Sequence, residues 1–576
     1  MPQRILSELQ ALAAETRRKH PEVRHAAEQV LQQVQSSDHA TALASLGHDV
    51  AADQALVRPI VLACKTRAPK VVLIALSLLQ RSVVLHLLPP SSLSEIVDAL
   101  HGLLANVART DVDVQLKILQ TVPALLADYP SITSALLSNT LMLCFILYEQ
   151  SRVTVVSSTA AATLRQNIMT VFDKVHDEDR TFDAIKDGGE DAAAAAPLPV
   201  HTAHTPDGNV TLFPASSDAY FLLNDLCALA NGEPASFLPL HSLSKPFVLE
   251  LLESVLTNHA RLFAGSSPKT ARHPELLYVL RSAACPFLLK ALSEPPAFPV
   301  FVRIMRLVLL LLRQFSEELV LEIEILLRMI LKTLQGSKSV PLWHRVLALE
   351  VLRSLCADGY FMRRVYRWYD AGDAGPANVP ATPLFAEVVA ALTACLTELQ
   401  PHLSVDAALT AAHQQIPEQA APRPSQDKSY TLYGAASAAV AGVRNAAEGL
   451  LSARTEALTA NSAPAIQLLD QLDKTEAPAP GSPPLPSTYL PLLVLWSHVL
   501  LAQSLALYVL RRYAEVYAHV EYAPPALPAS DDLAHVTAML QMYARPANDA
   551  LAFFLTVQGT DYVFDQALLA LANLGQ

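Results

Sequence analysis

Glycine and aromatic residues are scarce in this sequence, and their scarcity limits the folds that it can adopt. Only 17 of the 576 residues are glycine, and aromatic residues make up 6%. Strands favour aromatic and β-branched side chains, whereas leucine and alanine, which dominate here, favour helices. The composition therefore favours packed helices over sheets. Because the length exceeds what one hydrophobic core usually serves, we expect several domains or a repeat array.

Basic residues are also fewer than acidic residues in this sequence. The chain has 42 lysines and arginines against 54 acidic residues, which gives a formal net charge of −12. Nucleic-acid binders usually carry a basic face. We therefore predict that this protein has no nucleic-acid partner.

The cysteines are few and scattered. There are six, none of them in a C-x-x-C pair, and most lie in apolar stretches such as "LMLCFILY". Structural metal sites need clustered ligands. We therefore expect buried, reduced thiols, a cytosolic compartment and no metal site.

Signatures of catalysis are missing as well. The sequence contains no G-x-x-x-x-G-K-[ST], G-x-G-x-x-G, G-x-S-x-G or H-E-x-x-H motif, and these are the common phosphate, dinucleotide, hydrolase and zinc-protease signatures. We predict that the protein is not an enzyme and has no cofactor.

Two uncharged apolar runs, residues 129–148 and 489–510, approach the length of a membrane span. Each is interrupted by proline and by polar residues, a pattern that a helix buried in a large protein also gives. Both interpretations stay open, and the buried helix is favoured. The N-terminus "MPQRILSELQ" lacks the apolar core of a signal peptide.

What the sequence does contain is helical periodicity, which recurs up to about residue 400. In residues 55–81, "ALVRPIVLACKTRAPKVVLIALSLLQR", a first helix is predicted to end near residues 65–68, and Pro69 begins a second. Similar pairs recur about every 40 residues, as in HEAT and armadillo arrays. The predicted fold is all-α: an armadillo/HEAT-like α-solenoid of stacked antiparallel helix pairs.

Shifts in composition divide the chain. We predict a helical domain at residues 1–180, a flexible insertion at 181–217 and a second helical domain at 218–400. An Ala/Pro-rich linker with possible short helices is predicted at 401–488, and a further helical region starts at 489. The last residues, "LLALANLGQ", lack the polar face of a solenoid end, so we expect the natural protein to continue.

One candidate contact surface is basic. The stretch "TRRKHPEVRH", residues 16–25, offers Arg17, Arg18, Lys19 and Arg24 to an anionic membrane surface. The alternative is a solvated helix junction without a ligand.

A second candidate surface combines arginine with aromatic residues, which is typical of protein-interface anchors. It is the stretch "FMRRVYRWYD", residues 361–370. The candidate partner-binding residues are Arg363, Arg364, Tyr366, Arg367, Trp368, Tyr369 and Asp370. In the alternative interpretation both tyrosines pack inward and the arginines cover the surface.

A third stretch, "TAAATLRQNIMTVFDKV" at residues 159–175, predicts one amphipathic helix capped by a residue within 157–159. Its apolar face is expected to be core and comprises Leu164, Ile168, Phe172 and Val175. We expect Arg165 and Gln166 to bond neighbouring helix ends rather than a ligand.

The wording of this helix, "AAATLRQ…VFDKV", resembles the last helices of the DCB domain. That domain opens the large Arf guanine-exchange factors of the Sec-seven, BIG and GBF types, and their non-catalytic relatives, the Mon-two-type Golgi scaffolds. "ACKTRAPKVVLIALSLLQ" and "VQLKILQTV" resemble the middle of DCB, and "SSDAYFLLNDLCALAN" and "FVLELLESVL" resemble the start of the HUS domain that follows it. These stretches keep the family's order and cover most of residues 1–400.

Two features favour the non-catalytic branch. The exchange factors carry an N-[YF]-D-C box in HUS, whereas this chain reads "YRWYDA": Tyr369 and Asp370 match, but Trp368 and Ala371 replace Asn and Cys. No F-R-L-P-G-E-type catalytic loop occurs, and "AIQLLDQLDKTEAPAPGS" resembles a passage of the Mon-two-type scaffolds.

The resemblance implies a non-enzymatic scaffold of Golgi and endosome vesicle traffic, cytosolic and peripheral to trans-Golgi and endosome membranes. It implies a Dopey-family protein as partner, together with an Arf- or Arl-type GTPase, a phospholipid flippase, an anionic membrane surface and a homodimer through DCB–HUS. Two alternatives remain: the N-terminal regulatory region of an Arf guanine-exchange factor, and a HEAT-type transport receptor.

Overall fold

The computed structural model describes most of the first 400 residues. The described ranges are 2–35, 50–186, 198–206, 208–265, 272–335, 342–372 and 382–399, with residues 541–550 and isolated positions between 494 and 539. They belong to two compact units, residues 1–287 and 288–576.

The described residues of the first unit begin with eight helices. Their bounds are α1 Pro2–Glu15, α2 Pro21–Gln35, α3 Val50–Thr66, α4 Pro69–Val84, α5 Leu93–Leu104, α6 Val112–Asp128, α7 Ser134–Gln150 and α8 Thr154–Lys186. Pro69 starts α4 at the first helical position, where no backbone N–H is required. Asp111 caps α6, its carboxylate accepting from the backbone N of Asp113 at 2.9 Å. The break predicted within residues 55–81, with a second helix beginning at Pro69, is confirmed as the turn between α3 and α4.

These eight helices form two layers, as in a helical repeat. In one layer α1, α4, α6 and α8 pack side by side, and in the other α2, α3, α5 and α7 do. Each helix buries an apolar stripe against the facing layer and against its neighbours. The prediction of an all-α helical solenoid is confirmed.

Further helices extend the first unit beyond α8. A short antiparallel hairpin, β1 His201–Thr205 and β2 Gly208–Leu212, precedes α9 Pro214–Asn231. The next elements are α10 Lys245–Asn258, α11 Ala260–Phe263, α12 Pro274–Val279 and a π-helical turn Leu280–Ala284. Helix α13 Cys285–Ser293 follows, and its residues 288–293 belong to the second unit. Both α9 and α10 pack against α8. The interval 181–217, predicted as a flexible insertion, thus holds the end of α8, the hairpin and the start of α9, while residues 187–197 lie outside the described residues.

The core of α8 agrees with the sequence, but its start does not. Leu164, Ile168, Phe172 and Val175 are all buried, as predicted. The predicted cap within residues 157–159 is wrong, because α8 already begins at Thr154. The hydroxyls of Ser158 and Thr159 donate to the carbonyl of Val155, 3.1 and 2.6 Å away, inside the helix. Such back-bonding is how serine and threonine satisfy their hydroxyls within a helix.

The second unit contains a further set of packed helices. They are α14 Phe298–Gln314, α15 Val320–Gln335, α16 Leu342–Cys356, α17 Gly359–Val365, a π-helical turn Tyr366–Asp370 and α18 Leu384–Leu399. Helix α15 packs against α16 and α18, and α14 packs against α16. Residues 541–550 are also helical, with Tyr543, Ala547 and Ala550 fully buried. The predicted linker at 401–488 lies outside the described residues.

The structure describes one of the two apolar runs that were considered as membrane spans, and only isolated positions of the other. Residues 129–148 are not one helix, since α7 starts only at Ser134, and its Leu141, Cys144 and Phe145 are fully buried. Residues 489–510 lie outside the described residues except for three positions. Among described residues, the stretch Pro274–Ser293 is long and apolar enough to cross a membrane, and half of it is buried in the protein. A buried core helix passes the same test of length and composition.

Candidate interaction surfaces

The basic N-terminal surface is a tight turn between α1 and α2. The buried hydroxyl of Thr16 donates to the carbonyl of Leu12 at 2.6 Å and closes α1. The next three residues, Arg17, Arg18 and Lys19, are all exposed. The structure therefore brings three of the four predicted cations together in one short turn.

The fourth cation, Arg24, belongs to a different environment. It lies half-buried on α2, and its Nε donates to Oε1 of Glu28, one helical turn on, at 2.7 Å. Such a pair satisfies the guanidinium locally. The exposed basic surface is thus narrower than the sequence predicted and comprises residues 17–19.

The stretch 361–370 folds as the short helix α17 followed by a π-helical turn, and its aromatic residues face inward. Tyr369 is fully buried, and its hydroxyl donates to the carbonyl of Val320 at 2.5 Å. Tyr366 is also buried, with its ring edge-on to Phe385 at a centroid distance of 5.8 Å and 6.1 Å from the ring of His535. The alternative interpretation correctly predicted this inward packing of both tyrosines.

The side chain of Asp370 also points inward, where it bonds to the backbone of α18 and is not offered to a partner. Its two carboxylate oxygens accept hydrogen bonds from the backbone N of Phe385 at 2.7 Å and of Ala386 at 3.1 Å. They therefore satisfy backbone donors in the first turn of α18. Burial raises the pKa of Asp370 to about 6, although these hydrogen bonds favour the ionised form.

The other predicted residues of the stretch lie at the surface. Arg367 is exposed, and Arg363, Arg364 and Trp368 are partly exposed. The Nη1 of Arg364 lies 2.8 Å from Oε1 of Glu317, and its guanidinium lies 6.0 Å from the ring centroid of Trp368. The surface available to a partner is therefore this arginine–tryptophan set, without the two tyrosines and Asp370.

Sequence reasoning missed a series of polar contacts between α8 and the elements that follow it. Glu178, near the end of α8, accepts hydrogen bonds from the backbone N of Ala215 at 2.9 Å and of Ser216 at 3.1 Å. It therefore caps the start of α9 with a negative charge, where the helix dipole favours one. Burial raises the pKa of Glu178, and the amide bonds only partly oppose this.

A second contact holds the connection between α6 and α7. The backbone N of Ser134, a residue with φ of 53°, donates to Oδ1 of Asp218 on α9 at 2.8 Å. From α8, Nζ of Lys174 donates to the carbonyls of Tyr129 and Ile132, both at 3.3 Å. Burial raises the pKa of Asp218 to about 7 and lowers that of Lys174 to about 8. The connection between α6 and α7 is thus held by Lys174 of α8 and Asp218 of α9, two groups that titrate near neutral pH.

A third acid, Asp225, organises the loop after α9. Its carboxylate is fully buried and accepts from the backbone N of Ser236, Phe237 and Leu238 at 2.8, 2.9 and 2.6 Å. The hydroxyl of Ser236 donates to it as well, at 3.1 Å. A carboxylate that accepts four hydrogen bonds is satisfied in the interior, and it fixes the loop's conformation.

An ionic network joins α8 to the start of α12. Arg272 pairs with Asp179 at 3.0 Å and with Asp183 at 2.8 Å. The buried ring of His273 lies between Asp179, 3.2 Å from Nε2, and Glu275, 2.9 Å from Nδ1. Burial disfavours the charged ring, but the hydrogen bonds to both carboxylates outweigh it and raise the pKa of His273 to about 9. The protonated imidazole therefore bridges the two carboxylates.

Arg165 also takes part in the packing of α8, but not as expected. It forms an ion pair with Glu250 and lies 5.8 Å from the ring centroid of Phe247. Both partners are side chains of α10, so the expectation that Arg165 bonds a helix end is wrong. The side chain of Gln166 is exposed.

Two of the missed residues left a signal in the sequence. Asp218 and Asp225 are the acids of the otherwise apolar helix "SSDAYFLLNDLCALAN", and they lie seven residues apart. That spacing places them on one face, among leucines that must be buried. A buried acid needs hydrogen-bond donors, so the pair indicates that a loop or helix end lies against α9.

The cysteine prediction is confirmed in the described residues. All six cysteines are buried, and none forms a disulfide bond. Burial raises the pKa of Cys64, Cys144, Cys227 and Cys356 to about 12, which keeps the thiols protonated. Within the part of the chain that the structure describes, no cluster of three or more His, Cys, Asp or Glu residues could hold a metal ion.

Comparison with known proteins identifies two domains. Residues 1–179 match the family model described as the Mon2/Sec7/BIG1-like dimerisation and cyclophilin-binding domain, DCB. Residues 215–377 match the Mon2/Sec7/BIG1-like HUS domain. The contacts of Glu178 with Ala215 and Ser216 and of Asp218 with Ser134 therefore join the DCB-matching region to the HUS-matching region, whereas those of Lys174 and Asp225 each stay within one region.

Curated relatives carry the same name in distant organisms. The chain is 30% identical over 418 residues to Protein MON2 homolog of Xenopus laevis and 29% identical over 415 residues to that of Homo sapiens, in each case 68% of this chain and 22% of the relative. It is 25% identical over 513 residues to the protein of Schizosaccharomyces pombe, 89% of this chain and 28% of the relative. The chain thus spans about a quarter of the length of these relatives.

Proposed function

Since the chain belongs to the Mon2/Sec7/BIG1-like family, with DCB and HUS domains of the Mon2 type, we propose that it is a non-catalytic scaffold of Golgi and endosome vesicle traffic. The observation that carries the proposal is the ordered DCB–HUS pair together with MON2 homologues across species. An α-solenoid suits this role, because its stacked helices offer long surfaces to several partners. We place its action at the cytosolic face of trans-Golgi and endosome membranes.

The basic turn, residues 17–19, is our candidate for membrane contact. Three adjacent exposed cations would each gain about 1 kcal/mol near an anionic lipid surface. Reversing Arg17, Arg18 and Lys19 to glutamate should reduce flotation with anionic liposomes, and more strongly at low salt, because salt screens exposed charges. Reversing three exposed cations elsewhere, Lys65, Arg152 and Arg180, is the matched control. Equal flotation of both triple variants would remove the membrane role of this turn.

The arginine–tryptophan set, which comprises Arg363 and Arg364 on α17 and Arg367 and Trp368 in the π-helical turn, is our candidate for partner contact. Partly exposed arginine and tryptophan are the residues most enriched in interface hot spots. We propose a Dopey-family protein as the partner, in an assembly that includes an Arf- or Arl-type GTPase and a phospholipid flippase. Substituting Arg364 and Trp368 by alanine should abolish co-purification of the partner with little change in melting temperature, because an exposed ion pair contributes at most about 1 kcal/mol. A lowered melting temperature with retained partner would assign these residues to packing instead.

Self-association is the third element of the proposal. The matching DCB family is described as a dimerisation domain, and we propose that two copies of this chain associate through DCB–HUS. Sedimentation equilibrium of the purified chain should give a mass near twice 62.3 kDa. A concentration-independent monomer would contradict it.

The second candidate function is the regulatory region of an Arf guanine-exchange factor, which shares the DCB–HUS pair. The two functions differ in what the chain does to a GTPase. In a nucleotide-release assay with Arf-family GTPases on liposomes, the scaffold proposal expects no acceleration of GDP release by the chain, and no inhibition of a Sec7-type exchange domain added in trans. Specific inhibition of that domain would favour the regulatory function.

A further inference from the structure

A recess in the DCB-matching region brings two arginines together. It lies between the turn that joins α3 to α4 and the connection from α5 to α6, and it has a volume of about 260 Å³. Its polar lining includes Arg67, Asn106, Arg109 and Thr110, and Val72 and Val114 lie among its apolar residues. None of these residues takes part in the surfaces described above.

Arg67 occupies a backbone conformation that favours glycine. Its φ is 54°, at the position directly after the C-terminus of α3, and its backbone N donates to the carbonyl of Cys64 at 3.2 Å. Helices commonly end with glycine in this left-handed conformation, because a side chain there is strained. The strained residue is an arginine whose Nη2 donates to the carbonyl of Gly102 at 3.2 Å. Gly102 lines the adjoining recess and Arg67 lines both, so this bond anchors the guanidinium where the two recesses meet and leaves its other N–H groups for a ligand.

Arg109 supplies the second guanidinium. In the described part of the chain its side chain forms no hydrogen bond and no ion pair, although Asp111 lines the same recess. The connection that carries it is fixed, because the hydroxyl of Thr110 donates to the carbonyls of Leu103 at 2.8 Å and Asn106 at 3.0 Å. Arg109 therefore adds a second guanidinium to the lining of the recess, on a fixed connection and with N–H donors that suit a bidentate anion.

From this geometry we propose that the recess binds the phosphoryl group of a phosphoserine or phosphothreonine in a partner protein. Two guanidiniums match the oxygen atoms of a phosphate monoester, which carries between one and two negative charges at neutral pH. The recess is large enough for the phosphoryl group and the side chain that carries it. Val112, 38% exposed at the start of α6, offers apolar contact to a neighbouring residue of the peptide.

The charges around the recess favour a peptide over a membrane. Acidic side chains line it on one side, at Asp111, and line the adjoining recess on the other side of Arg67, at Glu95 and Asp98. A broad anionic bilayer would meet these carboxylates as well as the arginines, so the repulsion would offset part of the attraction. A single phosphoryl group on an extended peptide is small enough to enter between the carboxylates and to reach the guanidiniums of Arg67 and Arg109 directly.

The test uses the full chain and three probes. The first is a pool of fluorescent phosphoserine and phosphothreonine peptides with randomised flanks, the second is the same pool without phosphate, and the third is vesicles of phosphatidic acid in phosphatidylcholine. Binding to the peptides is followed by anisotropy and binding to the vesicles by flotation. Arg67→Gly is the decisive variant, because glycine suits φ of 54° and keeps the turn. Lys65 is an exposed cation in the last turn of α3 that does not line this recess, so Lys65→Ala removes the same charge as a control.

The proposal expects the wild type to prefer the phosphorylated pool. Arg67→Gly and Arg109→Gln should each weaken that binding at least about tenfold, since each removes charge-assisted bonds. The melting temperature of Arg67→Gly should stay equal or rise, and Lys65→Ala should bind like the wild type. Equal binding of both pools, or an equal loss in Lys65→Ala, would overturn the proposal. Vesicle flotation that depends on Arg67 without peptide binding would overturn it in favour of a lipid site.

Discussion

The carboxyl group of Asp218 makes a quantitative prediction about pH. It is 3% exposed, and burial raises its pKa from 3.8 to about 7. Because the folded carboxyl holds its proton more tightly than the unfolded one, its contribution to stability is fully present below about pH 3.8. That contribution is lost as the pH rises through about 7. Between pH 5 and pH 8 the loss amounts to about 2.5 kcal/mol, at 1.36 kcal/mol for each pKa unit.

Replacing Asp218 by asparagine should remove this dependence. The amide oxygen can still accept from the backbone N of Ser134, but the side chain no longer takes up a proton. Relative to the wild type, Asp218→Asn should therefore be more stable at pH 8 than at pH 5 by about 2.5 kcal/mol. For a unit of this size we expect a relative shift in melting temperature of roughly 5 °C.

Scanning calorimetry of both proteins at pH 5, 6, 7 and 8 measures this difference. An exposed aspartate on α5, Asp98, provides the control, and Asp98→Asn should follow the wild type at every pH. A difference between wild type and Asp218→Asn that is constant from pH 5 to pH 8 would refute the reasoning. It would mean that the carboxyl is already ionised at the acidic end of the range.

Three further predictions concern single contacts, each measured by urea unfolding. Asp225→Ala leaves three backbone amides of the loop at Ser236 without acceptors and should destabilise the protein by about 3 kcal/mol or more; a loss under 1 kcal/mol would show that the loop finds other partners. Glu178→Ala removes the cap of α9 and should cost about 1 kcal/mol, whereas an unchanged midpoint would contradict the capping role. Tyr369→Phe removes the buried bond to the carbonyl of Val320 and should cost about 1 kcal/mol or more, and a stabilised variant would speak against that bond.

Much of the fold follows from patterns that are local in sequence. Proline at position 69 and the apolar spacing on both sides of it predict a helix, a turn and a second helix, and the structure has that arrangement. The apolar face of residues 159–175 predicts which residues of α8 are buried. Periodicity reports burial directly, because it selects one side of each helix. Helix starts are less visible, since a serine or threonine near a boundary can cap the helix or lie inside it.

The polar contacts of α8 and α9 show what helical periodicity does not predict, namely contacts between residues far apart in sequence. Lys174 and Asp218 are 44 residues apart in sequence, and their shared task of holding the connection before Ser134 depends on how α8, α9 and α7 pack together. The backbone conformation of Arg67 is unpredictable for another reason. Its φ is one that favours glycine, and no local sequence pattern indicates that an arginine occupies it. Such residues depart from local preference because a contact distant in sequence compensates, which is why they mark constrained or functional sites.

The stretch 361–370 illustrates a mixed outcome. Arginine and tryptophan within a few residues indicate an interface, but the spacing alone does not separate the side chains that face solvent from those that pack inward. The π-helical turn Tyr366–Asp370 decides this by turning Tyr369 into the core and leaving Trp368 partly exposed. A π-helical turn shifts the helical register by one residue, so a regular 3.6-residue pattern does not predict which side chains it buries.

The scaffold proposal is tested most directly by reconstituting the chain with a Dopey-family protein on anionic liposomes, with and without an Arf-family GTPase. We predict that the Dopey-family protein floats with the liposomes only when the chain is present, and that the variant carrying Arg364→Ala and Trp368→Ala loses this recruitment while remaining folded. We also predict that GDP release from the GTPase is unchanged. Flotation of the Dopey-family protein that is independent of the chain, or accelerated GDP release by the chain itself, would contradict the account.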